Sequence, residues 1–134
     1  MRDSQGMVKN LVEKGNLEKP VLLYNRTRKR SEDVAATLPG GRTVIVDSIE
    51  EGVARADIVF VIVSNDAAAR AVFETILHAG VREKLFIECS TIHPDTTEQI
   101  ARDVEAAGAQ FVASPVVCIT FLPCRTPVSP KVNA

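Results

Sequence analysis

The apolar positions of this chain change period again and again. Met7, Val8, Leu11 and Val12 recur at helical spacing behind a polar lead, MRDSQG, and Gly15 marks a stop. Pro20 then introduces a short apolar run, Val21 to Tyr24, of strand length. A helix is expected from Thr27, with Val34, Ala35 and Leu38 on one face and Gly40-Gly41 as its end. Thr43 to Val46 is β-branched and strand-like. Ser48-x-x-Glu51 has the form of a capping box, so a short helix should start there. Asp57 opens IVFVIV, Ile58 to Val63, the strongest strand signal in the chain. It does not alternate, so both its faces should be buried, as in a parallel sheet. SNDAAARAVFETIL follows with Val72, Phe73, Ile76 and Leu77 at helical spacing, and KLFIE is the next strand. CSTIHPDTT is a loop whose Pro94 suits a first helical turn. That helix carries Ile100 and Val104 inward and stops near Gly108, and QFVA is a last strand.

Strand-helix alternation with short links predicts an α/β fold, a parallel sheet covered on both faces. From Ser114 onward the period is lost. SPVVCITFLPCRTPVSPKVNA holds four of the seven prolines; Val116 to Leu122 suits an extended segment, and the rest reads as an irregular tail.

Composition narrows the partners. A chain of 134 residues with 46% hydrophobic and 25% charged residues fits one globular domain. A formal net charge of -1 gives no broad attraction to nucleic acid or a membrane surface. The basic run Arg26, Arg28, Lys29, Arg30 is therefore local, and it lacks the aromatic interleaving of a nucleic-acid binder. No apolar stretch approaches ~18 residues, and the polar N-terminus is no secretory signal. Cys89, Cys118 and Cys124 have neither metal-ligand nor disulfide-framework spacing, so reduced thiols in the cytoplasm are expected.

In parallel sheets, ligands sit beyond the carboxyl ends of the strands. Those ends are Asn25-Arg26-Thr27, Asp47-Ser48, Ser64-Asn65-Asp66 and Cys89-Ser90-Thr91. In dinucleotide-binding folds the end of the second strand faces the adenosine ribose, where an acid selects NAD and an arginine accepts the 2′-phosphate of NADP. Arg26 suits that phosphate, Asn25 the ribose edge, and Thr27 either the phosphate or the helix cap. The alternative is a solvated basic helix start, which opposes the macrodipole by roughly a few tenths of a kcal/mol. Ser64 and Asn65 have capping as their alternative, and Asp66 is read as a cap. Ser90 and Thr91 either bond a substrate carboxylate or close the turn before Pro94. His93 is read as a loop residue and Cys89 as an inert buried thiol.

MVKNLVEKG, LYNRT, DIVFVIVSNDAA, ECSTIHPDTTEQIA and GAQFVASPV together resemble, in order and spacing, the cofactor domain of the β-hydroxyacid dehydrogenases, relatives of 3-hydroxyisobutyrate and 6-phosphogluconate dehydrogenases. The resemblance runs from Met7 to about Val116. It implies a Rossmann-type doubly wound domain, an NADP cofactor preferred over NAD, and hydride transfer from a β-hydroxyacid, with room for a homo-oligomer. By the same resemblance Asn25, Arg26 and Thr27 match the adenosine-phosphate pocket. Ser64 and Asn65 match the loop passing the cofactor, and Ser90 and Thr91 match the substrate-side motif.

Two departures qualify it. The family opens on an apolar strand and a G-x-G-x-x-G turn, whereas only MRDSQG precedes this helix. The family also continues into a helical domain bearing a catalytic lysine. Here VCITFLPCRTPVSPKVNA follows instead, and Lys131 does not inherit that role. The expectation is an incomplete domain over residues 1–116 that lacks its first strand, with a tail over 117–134. Such a chain should be marginally stable and bind dinucleotide weakly, with little or no turnover alone. The alternative is a non-catalytic Rossmann-like module for a protein partner or nucleotide.

Overall fold

The computed structural model describes residues 2–115, with the side chains of Arg2 and Asp3 left aside. The tail expected over 117–134, the extended segment Val116 to Leu122, Cys118 and Cys124 lie outside the described residues. The elements run α1 (Arg2–Lys14), β1 (Val21–Leu23), α2 (Arg28–Ala36), β2 (Thr43–Ile45), α3 (Ile49–Arg55), β3 (Ile58–Val61), α4 (Asp66–His78), β4 (Leu85–Glu88), α5 (Pro94–Ala106) and β5 (Gln110–Ala113). Every strand and helix expected from the pattern is present. The polar lead differs: it is helical from Arg2, because helical backbone hydrogen bonds form without an apolar face. Gly15 closes α1 for a steric reason. A Cβ there would stand 2.4 Å from the Leu11 carbonyl oxygen, and Asn16 follows with φ 47°.

The chain divides into two compact units, Met1–Ala56 and Asp57–Ala134. In the first, β1 pairs with β2 in parallel, Val21 opposite Thr43 and Leu23 opposite Ile45. Its buried apolar side chains are Val12, Leu23, Leu38, Val46 and Val53. The capping box forms with a shift of one residue. Glu51 donates its N–H to Ser48 Oγ (3.1 Å), but its carboxylate accepts the N–H of Asp47 (3.1 Å) rather than that of Ser48.

In the second unit the order is β3-β4-β5, all parallel, with Ile58 opposite Leu85 and Leu85 opposite Gln110. This register puts Val59, Val61, Phe86, Glu88 and Phe111 on one face, and there Phe73 of α4 meets Phe86 and Phe111 edge-on, at 6.2 and 5.8 Å between ring centroids. The opposite face carries Ile58, Phe60, Leu85 and Ile87. Ile58 is 54% exposed and Phe60 41%, which corrects the expectation that IVFVIV is buried on both faces. The strand also stops at Val61, short of Ile62 and Val63. The apolar run specifies a sheet strand, but which face is covered depends on elements elsewhere in the chain.

Each sheet taken by itself, β1-β2 has the neighbour order of strands 2 and 3, and β3-β4-β5 that of strands 4, 5 and 6, in the doubly wound order 3-2-1-4-5-6. The two-stranded sheet has only three paired positions per strand. Isolated parallel pairs of that size are marginal. Amides of β1 and β2 are therefore expected to exchange with solvent well before those of β4, which is paired on both sides. The 134-residue polypeptide is expected to melt at or below ~60 °C. Hydrogen exchange and circular dichroism check both; slower exchange in β1 than in β4 overturns the ranking.

Candidate functional site

In the first unit the strand ends gather a basic turn. Asn25 Oδ1 accepts the N–H of Thr27 (2.9 Å), a local turn with Arg26 at its tip. Thr27 holds the N-cap position of α2 but makes no side-chain capping bond, so its hydroxyl is not spent on the helix. The first turn of α2 is Arg28-Lys29-Arg30, with no acid in it. Arg28 is committed to carboxylates: Glu32 at 3.0 Å, and Asp47 beyond β2. Lys29 pairs with Asp33 at 3.3 Å. Such exposed pairs are worth ~0.2–1 kcal/mol each. Among the described residues, the guanidinium groups of Arg26 and Arg30 have no carboxylate partner. The sequence marked Arg26; that Arg30 is the unspent base of the following three is visible only from the pairing.

In the second unit two loops meet. Asn65, not Asp66, caps α4, its Oδ1 accepting the N–H of Ala68 (2.8 Å) while its amide stands 3.4 Å from Ser64 Oγ. Asp66 begins the helix and reaches the next loop, accepting the N–H of His93 (3.0 Å). Its bond with the Thr96 hydroxyl and then that of His93 hold its carboxyl below the usual range. Arg70 donates to Thr96 Oγ1 (3.0 Å). His93 caps α5, its Nδ1 accepting the N–H of Asp95 (3.2 Å), which suits the loop role expected for it.

Beside this, Glu88 ends β4 and is only 1% exposed. Its carboxylate accepts the N–H of Ser90 (2.7 Å). Ser90 is itself buried, and its Oγ accepts the N–H of Val63 (2.8 Å), while Thr91 is exposed. Ser64-Asn65 and Ser90-Thr91 are thus brought together, and Asn25, Arg26 and Thr27 cluster within the first unit. Sequence reading missed Glu88. The signal was an acid two residues after Phe86, hence on the same covered face of the strand.

Burial pushes the Glu88 carboxyl above its usual range, against the smaller opposing pull of Ser90. Burial, then the Glu88 charge, raises the Cys89 thiol, in keeping with an inert cysteine. The sign for Glu88 follows from linkage. An acid whose folded pKa is raised stabilises the fold most when neutral, and that contribution is lost as pH climbs from the unfolded value through the folded one. Asp66, with a lowered pKa, acts in the opposite sense. Glu88→Gln is therefore expected to remove a decline in stability on raising pH above the ordinary carboxylate range. Urea melts of both proteins across that range check it; parallel pH curves overturn it.

Residues 4–118 match the family model of the NAD binding domain of 6-phosphogluconate dehydrogenase. The chain is 39% identical over 111 residues to NADH-dependent oxidoreductase ucdB of Aspergillus ustus, covering 83% of this chain and 38% of that protein. Among solved structures, the 3-hydroxyisobutyrate dehydrogenase of Mycobacterium tuberculosis with L-serine superposes with a TM-score of 0.73 at 23% identity, over 85% of this chain and 37% of that one. An imine reductase from Myxococcus stipitatus in complex with NADP+ gives 0.72 at 19% identity, over 86% and 37%. The two structures establish the Rossmann-type fold. The chain spans less than two-fifths of the length of each of these proteins. With a family model covering most of its residues, the chain belongs to the NAD binding domain family of 6-phosphogluconate dehydrogenase.

Proposed function

We propose that this domain binds NADP in preference to NAD and serves an oxidoreductase that takes a hydride from a β-hydroxyacid. One observation carries the reading. Arg26 stands exposed at the tip of a turn after β1, uncompensated among the described residues, while its neighbours Arg28 and Lys29 are paired. A guanidinium without a carboxylate partner beside a basic first helical turn is slightly unfavourable without an anion and suits a 2′-phosphate. Asn25 takes the ribose edge and Thr27 the phosphate. Ser64 and Asn65 pass the cofactor, and Thr91, on the turn that Ser90 fixes, faces the substrate. The cytoplasm is the proposed location, and Cys89 as a buried free thiol suits it.

The glycine-rich pyrophosphate turn does not occur ahead of α1 in these residues. The affinity of these 134 residues for either dinucleotide is accordingly expected to be low. Titration calorimetry with NADPH and NADH tests the preference. Equal affinities would favour NAD chemistry of the kind named for the Aspergillus relative. Binding of neither favours the second reading, a non-catalytic module for a protein partner, which exposed Ile58 and Phe60 support.

A further inference from the structure

We propose that Glu88 is a positioning residue: through Ser90 its buried carboxyl sets the backbone of the β3–α4 loop that presents Ser64 and Asn65, and of the β4–α5 turn that presents Thr91. The buried polar or charged side chains among the described residues are Ser31, Glu88, Ser90 and Thr96, so Glu88 is the buried carboxyl. Burying a carboxyl is unfavourable unless donors meet it. No cation is paired with it among the described residues; the donor that meets it is the Ser90 N–H at 2.7 Å. A residue that could have faced solvent at a loop start is thereby turned inward, to 4% exposure.

The consequence passes to the neighbouring loop. The β3 ladder ends at Val61, which accepts the N–H of Cys89 (2.9 Å). Val63 lies two residues beyond, and its N–H goes to Ser90 Oγ (2.8 Å) rather than to a strand. Ser64 follows directly. The third strand end joins at the same residue, since Ser114 donates its N–H to the Glu88 carbonyl oxygen (2.8 Å). A side-chain relay, Glu88 to Ser90 to Val63, thus continues the sheet past the end of its backbone ladder. Where it stops, Ser64, Asn65 and Thr91 begin. The functional half of this inference rests on the dinucleotide reading; the structural half does not.

The test is amide-resolved hydrogen exchange by NMR on the 134-residue chain, with NADPH titration alongside. Glu88→Gln keeps an oxygen acceptor for Ser90; Glu88→Leu keeps the volume and removes it. Glu88→Leu is expected to speed exchange at Val63 and Ser90 by about tenfold or more. Phe86 and Ile87 should hold, and NADPH binding should weaken by a similar factor. Glu88→Gln should restore both. Should Glu88→Leu fail to fold, Ser90→Ala must free the Val63 amide alone. Unchanged exchange at Val63 in both Glu88→Leu and Ser90→Ala overturns the proposal, as does loss of protection in Glu88→Gln equal to that in Glu88→Leu. Exchange behaving as expected in a chain that binds no NADPH sinks the dinucleotide reading and leaves the relay standing.

Discussion

Phe73→Ala is expected to cost about 3–5 kcal/mol and to leave the second unit unfolded or nearly so at 37 °C. Phe73 is 2% exposed and touches Phe86 and Phe111 edge-on, so it bridges the middle and last strands from above. Truncation removes the transfer energy of a ring and also two aromatic contacts worth roughly 0.5–1.5 kcal/mol each. It leaves a cavity bounded by strands that cannot move without breaking their ladder. Whole domains have only ~5–15 kcal/mol of stability, and a three-stranded unit sits at the low end. The control is Phe60→Thr, on the other face of the same sheet. Phe60 is exposed, and threonine, being β-branched, also favours a strand, so its cost should stay below about 1 kcal/mol. Urea denaturation followed by circular dichroism gives both numbers. Comparable losses would mean that the Phe60 face is covered in solution and that the burial described for it is wrong.

That contrast shows how far the sequence could be read. Phe73 was legible as a core position because Val72, Phe73, Ile76 and Leu77 repeat at helical spacing, and a helix buries one stripe by geometry. Phe60 was not, because an unbroken apolar run reports membership of a parallel sheet but not which of its faces another element covers. Caps divide the same way. Ser48 was found from a pattern four residues long, and it caps α3 by accepting the N–H of Glu51. Asp66 was mistaken for a cap because its real acceptor role reaches His93, 27 residues away, and no local rule contains that distance. The candidate site follows suit. The turn at Asn25-Arg26-Thr27 lies on contiguous residues and was read in place. The buried Glu88 linkage joins Val63 to Ser90 across two strands and became visible only in the fold.

Arg26→Ala is expected to weaken NADPH binding by about tenfold to a hundredfold, the worth of losing a charged hydrogen-bonded partner of ~1.5–3 kcal/mol, with NADH binding unchanged. The asymmetry is the content of the prediction, because the 2′-phosphate is the group that distinguishes the two dinucleotides. Asn25 holds the turn through the Thr27 amide, so removing the arginine side chain leaves the backbone of the site in place. Arg26→Lys should recover part of the affinity: an ammonium supplies the charge but not the two-pronged geometry of guanidinium with phosphate. Arg30→Ala should show a smaller loss of the same kind, since Arg30 is the base of the α2 first turn with no carboxylate partner among the described residues. Lys29→Ala should show little, because Lys29 is held by Asp33. An exposed contact of this sort is screened, so the wild-type preference for NADPH over NADH should shrink as ionic strength rises from about 0.01 M, where the Debye length is ~30 Å, to 1 M, where it is ~3 Å. Fluorescence or calorimetric titration of the wild type and the four variants with both cofactors measures all of this. Equal weakening of NADH and NADPH in Arg26→Ala would mean that Arg26 meets a group the two share, and the 2′-phosphate assignment would have to be abandoned.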